Sequence, residues 1–178
     1  MRNLAPLDPE DAPGKSRELL DDLIGRHGSV GDMVATMAHS PALLQGYLDL
    51  SRAMKRAKLP RQLSEKLSIA AQGWIGCETC MAAHTEAGRA AGLSETDIAL
   101  ARDGTATDRR EAALVAFALR VLAEPASITS DDVTELRQHG WHDPVIAEVV
   151  GLVTLNLMTG AFNLVAGIKP ATESAAAG

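Results

Sequence analysis

Residues 65–84 read EKLSIAAQGWIGCETCMAAH and hold both cysteines of the chain, Cys77 and Cys80. A glutamate, Glu65, stands twelve residues before the first cysteine, and a histidine, His84, stands four residues after the second. The spacing predicts a helix over residues 60–72 and a second helix beginning near Cys77, joined by a tight turn. The chain then doubles back about residues 74 and 75, as in an αα-hairpin. Glu65 lies nine residues before Trp74 and His84 nine residues after Ile75. An antiparallel hairpin therefore sets Glu65 opposite His84, and Gly73 opposite Gly76. One straight helix, rising about 1.5 Å per residue, would instead hold Glu65 roughly 18 Å from Cys77. The glycines permit the reversal because they lack a Cβ.

On the second helix Cys77, Cys80 and His84 are spaced i, i+3, i+7 and form one stripe. The cysteines fall in its first turn, where unpaired N–H groups and the positive end of the helix dipole favour a thiolate. The expected site is a carboxylate, an imidazole and two thiols, one of them easily ionised. Cys80 is one turn from His84 and is assigned as the attacking thiol. Other readings of the same residues remain. Structural zinc needs a fourth ligand beyond Cys77, Cys80 and His84, drawn from His39, His139 or His142. A thioredoxin-like CxxC needs strands around it. Two cysteines can also serve only as packing. Glu65 alone would be a solvated helix carboxylate beside Lys58, Arg61 or Lys66. Trp74 and Ile75 read as turn and core residues, with Trp74 also able to edge a pocket.

Glu, eleven residues, Cys, two residues, Cys, three residues, His: with Glu65, Cys77, Cys80 and His84 in these places, the chain resembles the redox branch of the alkylhydroperoxidase D-like, carboxymuconolactone decarboxylase family. The resemblance is firmest over residues 41–92 and extends more weakly to about residue 168. It implies an all-α bundle and a thiol-dependent peroxidase acting on organic hydroperoxides or hydrogen peroxide. It also implies a Glu65/His84 proton relay, with Cys80 attacking and Cys77 closing the disulfide. A dithiol donor such as a dihydrolipoyl protein would return the electrons, or a peroxiredoxin would receive them. No other cofactor and no metal is implied. Homo-oligomers, often built on trimers, are implied as well. Some members carry a further histidine just before the second cysteine, where this chain has Thr79. Two other activities fit the same family: a dithiol–disulfide carrier with little peroxidase activity, and a lactone decarboxylase that does not need the cysteines.

The rest of the chain agrees with a helical protein. It has 178 residues, 46% hydrophobic, 22% charged and only 3% aromatic, a composition that favours packed helices over strands. The net charge of −6 argues against nucleic acid or an anionic membrane as partner. No apolar run occurs in the opening MRNLAPLDPEDAPGKS, so a cytosolic location is expected, where CxxC serves redox chemistry or metal binding. No GxGxxG nucleotide motif occurs.

Residues 1–15, with three prolines, read as an extended arm; residues 16–170 as a single helical domain; residues 171–178 as a frayed tail. Within the domain, helices are expected over 16–26, 30–37 and 41–57, and from Pro60 onward. The helix of Cys77 should stop at Gly92. A capping box of Ser94 and Asp97 starts the next helix. Thr107 should cap 108–123 and Ser130 should cap 131–139, with His139 and His142 at the surface near that helix's end. Asp143-Pro144 opens the last helix. Residues 149–168 carry no charge and meet the length of a membrane span. Asn156, Asn163 and three glycines favour a core helix instead, broken near Gly160. A faint repeat places Glu148, Gly160, Asn163 and Gly167 where Glu65, Cys77, Cys80 and His84 stand in the first hairpin. The apolar last helix suggests contact between subunits.

Overall fold

The computed structural model describes residues 2–170; the tail expected at residues 171–178 lies outside the described residues. Among the described residues the chain forms α1 (Gly14–His27), α2 (Asp32–Met37), α3 (Pro41–Met54), α4 (Arg61–Ile75), α5 (Glu78–Ala90), α6 (Glu95–Arg102), α7 (Arg109–Ala123), α8 (Ser130–Gln138) and α9 (Asp143–Ala166). A 3₁₀ turn, Pro125–Ser127, follows α7, and no strand occurs among these residues. The fold is all-α, in line with the expectation from composition.

Contacts gather the chain into two compact units. Among the described residues, one is built from residues 2–53 together with residues 162–170. Its core is Ala12, Leu19, Leu20, Met37, Ala38 and Leu44, with Tyr47 and Phe162 against it. The arm before α1 is not extended throughout, because it turns at residues 9–11, where the Asp11 amide donates to the Asp8 carbonyl at 3.0 Å; its earlier amides bond outward, Asn3 and Leu4 to the Ala166 carbonyl and Leu7 to that of Ala35.

The other unit, Met54–Ala161, holds the whole 65–84 stretch. Its centre is α4, which packs against α5, α6 and α7. Every residue from Lys66 to Gln72 is buried, so α4 has no solvent face along its middle. Leu63, Leu67 and Ala70 join Leu114, Val115, Phe117, Trp141, Val149 and Val153 in the main core. Each such leucine contributes roughly 1.5–3 kcal/mol of burial. Ile69 packs elsewhere, with Leu93, Ile98 and Ala101.

The structure moves several expected boundaries. α4 does not stop at residue 72 but runs on to Ile75. The residue that ends it is Gly76, in the left-handed region at φ 81°. Gly73 lies inside the helix, not in the turn. There its missing Cβ leaves room for Met81, whose Cε would be 3.3 Å from a Cβ at that position, and for the Arg102 carbonyl. The cap of α7 is Asp108, not Thr107: its Oδ1 accepts the Arg110 amide at 2.7 Å. At α8 the cap is Thr129, not Ser130, with Asp132 accepting the Thr129 amide at 2.7 Å and its hydroxyl at 2.8 Å. The Ser94–Asp97 capping box is present as expected.

α9 is one continuous helix through Gly160. The expected break is absent because Gly160 serves close packing: a Cβ there would lie 2.6 Å from Gln72 Oε1 and 2.9 Å from Ile75 Cγ2. With no reversal in α9, residues 144–168 are not a second copy of the hairpin. Glu148 does not copy Glu65 either; it accepts the Lys58 amide at 2.8 Å. α9 is long and apolar enough by length and composition to cross a membrane. One face is buried through Ile146, Val149, Leu152, Val153 and Asn156, while Val150, Leu157, Leu164 and Val165 are exposed.

Candidate functional site

The site is built on α4 and α5. α4 supplies Glu65 and, at its end, the frame for the reversal. The Gln72 carbonyl accepts the amides of both Gly76, at 2.9 Å, and Cys77, at 3.2 Å. The second of these spans five residues and closes the helix in the manner of a Schellman cap, which needs the left-handed residue that Gly76 supplies.

Cys77 is then not inside α5 but caps it, with extended backbone at φ −88°, ψ 94°. Its sulfur accepts the Cys80 amide at 3.3 Å. The sequence reading of one i, i+3, i+7 stripe is corrected in this respect: Cys80 and His84 share the helix, and Cys77 sits at its mouth. The two sulfurs are joined as a disulfide with the Cα atoms 5.4 Å apart. Both are nearly covered, Cys77 at 2% exposure and Cys80 at 7%.

His84 Nδ1 lies 2.8 Å from Glu65 Oε2 and donates to it. The pair is part-covered, with side-chain exposures of 31% for His84 and 16% for Glu65. A carboxylate on Nδ1 fixes the tautomer, leaving the Nε2 lone pair as the base. The structure thus brings Glu65 to His84 and Cys77 to Cys80, on one short hairpin. The carboxylate–imidazole pair can take up and return a proton, and the dithiol can be oxidised and reduced.

Glu65 does not pair with its neighbour Lys66. That side chain is buried and reaches the other way, to Glu111 Oε2 at 2.7 Å and Asp97 Oδ1 at 3.1 Å. Burial alone would lower the Lys66 pKa; the bonds to Glu111 and Asp97 outweigh it and hold the ammonium above its ordinary value. The Ser94 hydroxyl and then Lys66 hold the Asp97 carboxyl below its ordinary value. This ion cluster ties α4 to α6 and α7 beside the site.

Trp74 is exposed, not core, and Ile75 is half-buried under α9. His139 ends α8 with Nε2 4.0 Å from Glu135, and His142 is exposed. Among the described residues no group of three or more His, Cys, Asp or Glu side chains is placed to hold a metal ion. Sequence reasoning missed Gln72 altogether. Its side chain donates to Asn156 Oδ1 at 2.9 Å and to the Asn156 carbonyl at 3.1 Å. A signal was available: a glutamine and an asparagine each stand in an otherwise apolar helical run.

Residues 41–124 match the carboxymuconolactone decarboxylase family model. No curated protein matches the chain significantly. Among solved structures, the chain is similar to an alkylhydroperoxidase AhpD core, a peroxidase-related protein from Ralstonia eutropha, at 19% identity and a TM-score of 0.79, covering 97% of this chain and 95% of that one. A peroxidase-related protein from Silicibacter is similar at 18% identity and a TM-score of 0.78, covering 97% and 94%. The debrominase Bmp8 is similar at 17% identity and a TM-score of 0.75, covering 98% and 95%. At these identities the likeness shows the fold, which is AhpD-like.

Proposed function

We propose that the chain is a thiol-dependent peroxidase of alkylhydroperoxidase type, a reading supported by the match of residues 41–124 to the carboxymuconolactone decarboxylase family model. Its substrates are organic hydroperoxides or hydrogen peroxide. The observation that carries this reading is the bonded Glu65–His84 pair, one helical turn beyond Cys80 and its disulfide partner. An isolated buried dithiol has no base; in this reading His84 supplies one.

In the reduced form His84 Nε2 accepts the Cys80 proton, and Glu65 stabilises the imidazolium. The Cys80 thiolate attacks the terminal peroxide oxygen. An S–O bond forms as the O–O bond breaks, and the alkoxide takes the proton back from His84 and leaves as the alcohol. Cys77 then attacks the Cys80 sulfenic acid, the disulfide forms, and water departs. A dithiol donor, of which a dihydrolipoyl protein is the chemical type, restores both thiols by exchange. The two sulfurs are the whole redox centre in this scheme. The scheme is placed in the cytosol, where a dithiol pool keeps the cycle running. The exposed apolar residues of α9, Val150, Leu157 and Leu164, support a homo-oligomer; a trimer as its unit follows only from the family resemblance.

A second reading is a dithiol–disulfide carrier that passes electrons to a peroxiredoxin and barely turns over peroxide. The near-complete cover over both sulfurs favours it, as does Thr79 in place of a second imidazole. Peroxide consumption with and without a dithiol donor tests the two. Donor-dependent turnover that Cys80→Ser abolishes supports the peroxidase. Rapid disulfide exchange without peroxide consumption supports the carrier. A Cys77→Ser, Cys80→Ser double variant that kept full activity on a lactone would remove both.

A further inference from the structure

The proton relay does not use the most deeply buried polar side chain of α4. Gln72 has no exposed surface. Its amide nitrogen is clamped by Asn156 of α9, through the Oδ1 and the carbonyl. Asn156 is fixed in turn, donating to Ser68 Oγ at 3.1 Å and to the Leu152 carbonyl at 3.0 Å. Ser68 and Asn156 are themselves buried. A chain of polar groups therefore crosses the α4–α9 contact, inside an otherwise apolar core. It is not fully satisfied: Gln72 Oε1 has no hydrogen-bond partner among the described residues. An unpaired buried acceptor is destabilising, and an apolar side chain of the same volume would avoid it. The two helices are also pressed together here as only glycine allows, since a Cβ on Gly160 would overlap that same oxygen.

What the amide gains is a fixed Gln72 backbone. The Gln72 carbonyl carries the amides of Gly76 and Cys77, so the position of the cap is hung from this residue. The Cys77 sulfur meets the Cys80 amide at 3.3 Å, and a small rotation of Gln72 would open that contact. A hydrogen bond to the charged form lowers a thiol pKa. We propose that Gln72 is a positioning residue, clamped by Asn156 and Ser68, that holds Cys77 where the Cys80 amide stabilises its thiolate. The inference rests on reading Cys77 as a redox thiol, but its test uses no peroxide, so loss of the peroxidase reading leaves it standing.

The test is a titration of Cys77 by thiolate ultraviolet absorbance in the full-length Cys80→Ser chain, which keeps the residue-80 amide. Adding Gln72→Met should raise the Cys77 midpoint by about half a pH unit or more, a threefold loss of thiolate. The disulfide–dithiol equilibrium of the chain with both cysteines should move about threefold toward disulfide under the same substitution. A folded Gln72→Met chain whose midpoint stays or falls overturns the proposal, even if its thermal stability drops. Should that variant not fold, Ser68→Ala, which removes only the far end of the clamp, replaces it. An upward shift there supports the proposal and an unmoved midpoint overturns it.

Discussion

Glu65 Oε2 accepts a hydrogen bond from His84 Nδ1 at 2.8 Å, joining α4 to α5 across the reversal at Gly76. Nineteen residues separate them in the chain, and the contact exists only because the hairpin closes. If the two act as one relay, Glu65→Gln and His84→Gln should each slow peroxide reduction by about 10²–10⁴. The double variant should be no slower than the slower single one, because either loss disables the same proton path. Steady-state turnover on an alkyl hydroperoxide checks this; fully additive losses would show two independent roles.

Lys66 holds the neighbouring helices. Its ammonium joins Asp97 of α6 to Glu111 of α7. Lys66→Met should therefore leave two part-buried carboxylates facing one another and destabilise the fold by roughly 1–3 kcal/mol. Urea denaturation measures the loss, and an unchanged midpoint would show the cluster to be ornamental.

The same cluster predicts an acid limb. The Asp97 carboxyl is held below its ordinary value by Ser94 and Lys66. A depressed carboxyl stabilises the fold fully above its unfolded pKa of about 4 and loses that contribution as pH falls toward its folded value. Asp97→Asn should lower the melting temperature at neutral pH and flatten its fall as the pH drops through and below about 4. Melting curves taken across that range decide it; parallel curves for the two chains would contradict it.

Two glycines have separate roles. Gly76 has open space where a Cβ would go but a φ of 81°, so Gly76→Ala should cost about 1–2 kcal/mol of backbone strain. Gly160 is ordinary helix with no space, so Gly160→Ala should cost about 1–3 kcal/mol through overpacking. Thermal melts of both, with a crystal structure of Gly160→Ala showing α9 displaced from Ile75, would separate strain from crowding.

The exposed apolar residues of α9 bear on assembly. Val150 and Leu157 stand seven residues apart and are both exposed, as on a helix face meant for another helix. Leu157→Asp should lower the sedimentation mass of the native protein to that of a smaller species. A wild-type chain that sediments as a monomer would remove the subunit contact.

Much of the site was legible because helical spacing carries it. Glu65 and His84 are placed opposite one another by counting from the reversal, and a shift of that reversal from residues 74–75 to Gly76 did not part them, because both side chains are long. The helix ends were less legible. Gly73 and Gly76 look alike in the sequence, but one makes room for Met81 and the other takes a left-handed φ, and only the packing partner tells them apart. Gly160 misled for the same reason: read as a helix breaker, it is a point of close approach. Cys77 looked like a member of a helix face; its place as cap depends on the Gln72 carbonyl, whose two bonds no local pattern announces. Lys66 is adjacent to Glu65 in sequence, yet neighbours on a helix face different ways, and its acids come from α6 and α7.

The central claim, that the Glu65–His84 pair primes Cys80, is tested most directly on the Cys77→Ser chain, where Cys80 is the one thiol. Its alkylation rate by iodoacetamide is measured against pH, with and without His84→Gln. The account predicts that His84→Gln moves the midpoint up and slows alkylation at neutral pH at least several-fold, with Glu65→Gln acting in the same direction. Superimposable profiles for all three chains would contradict it.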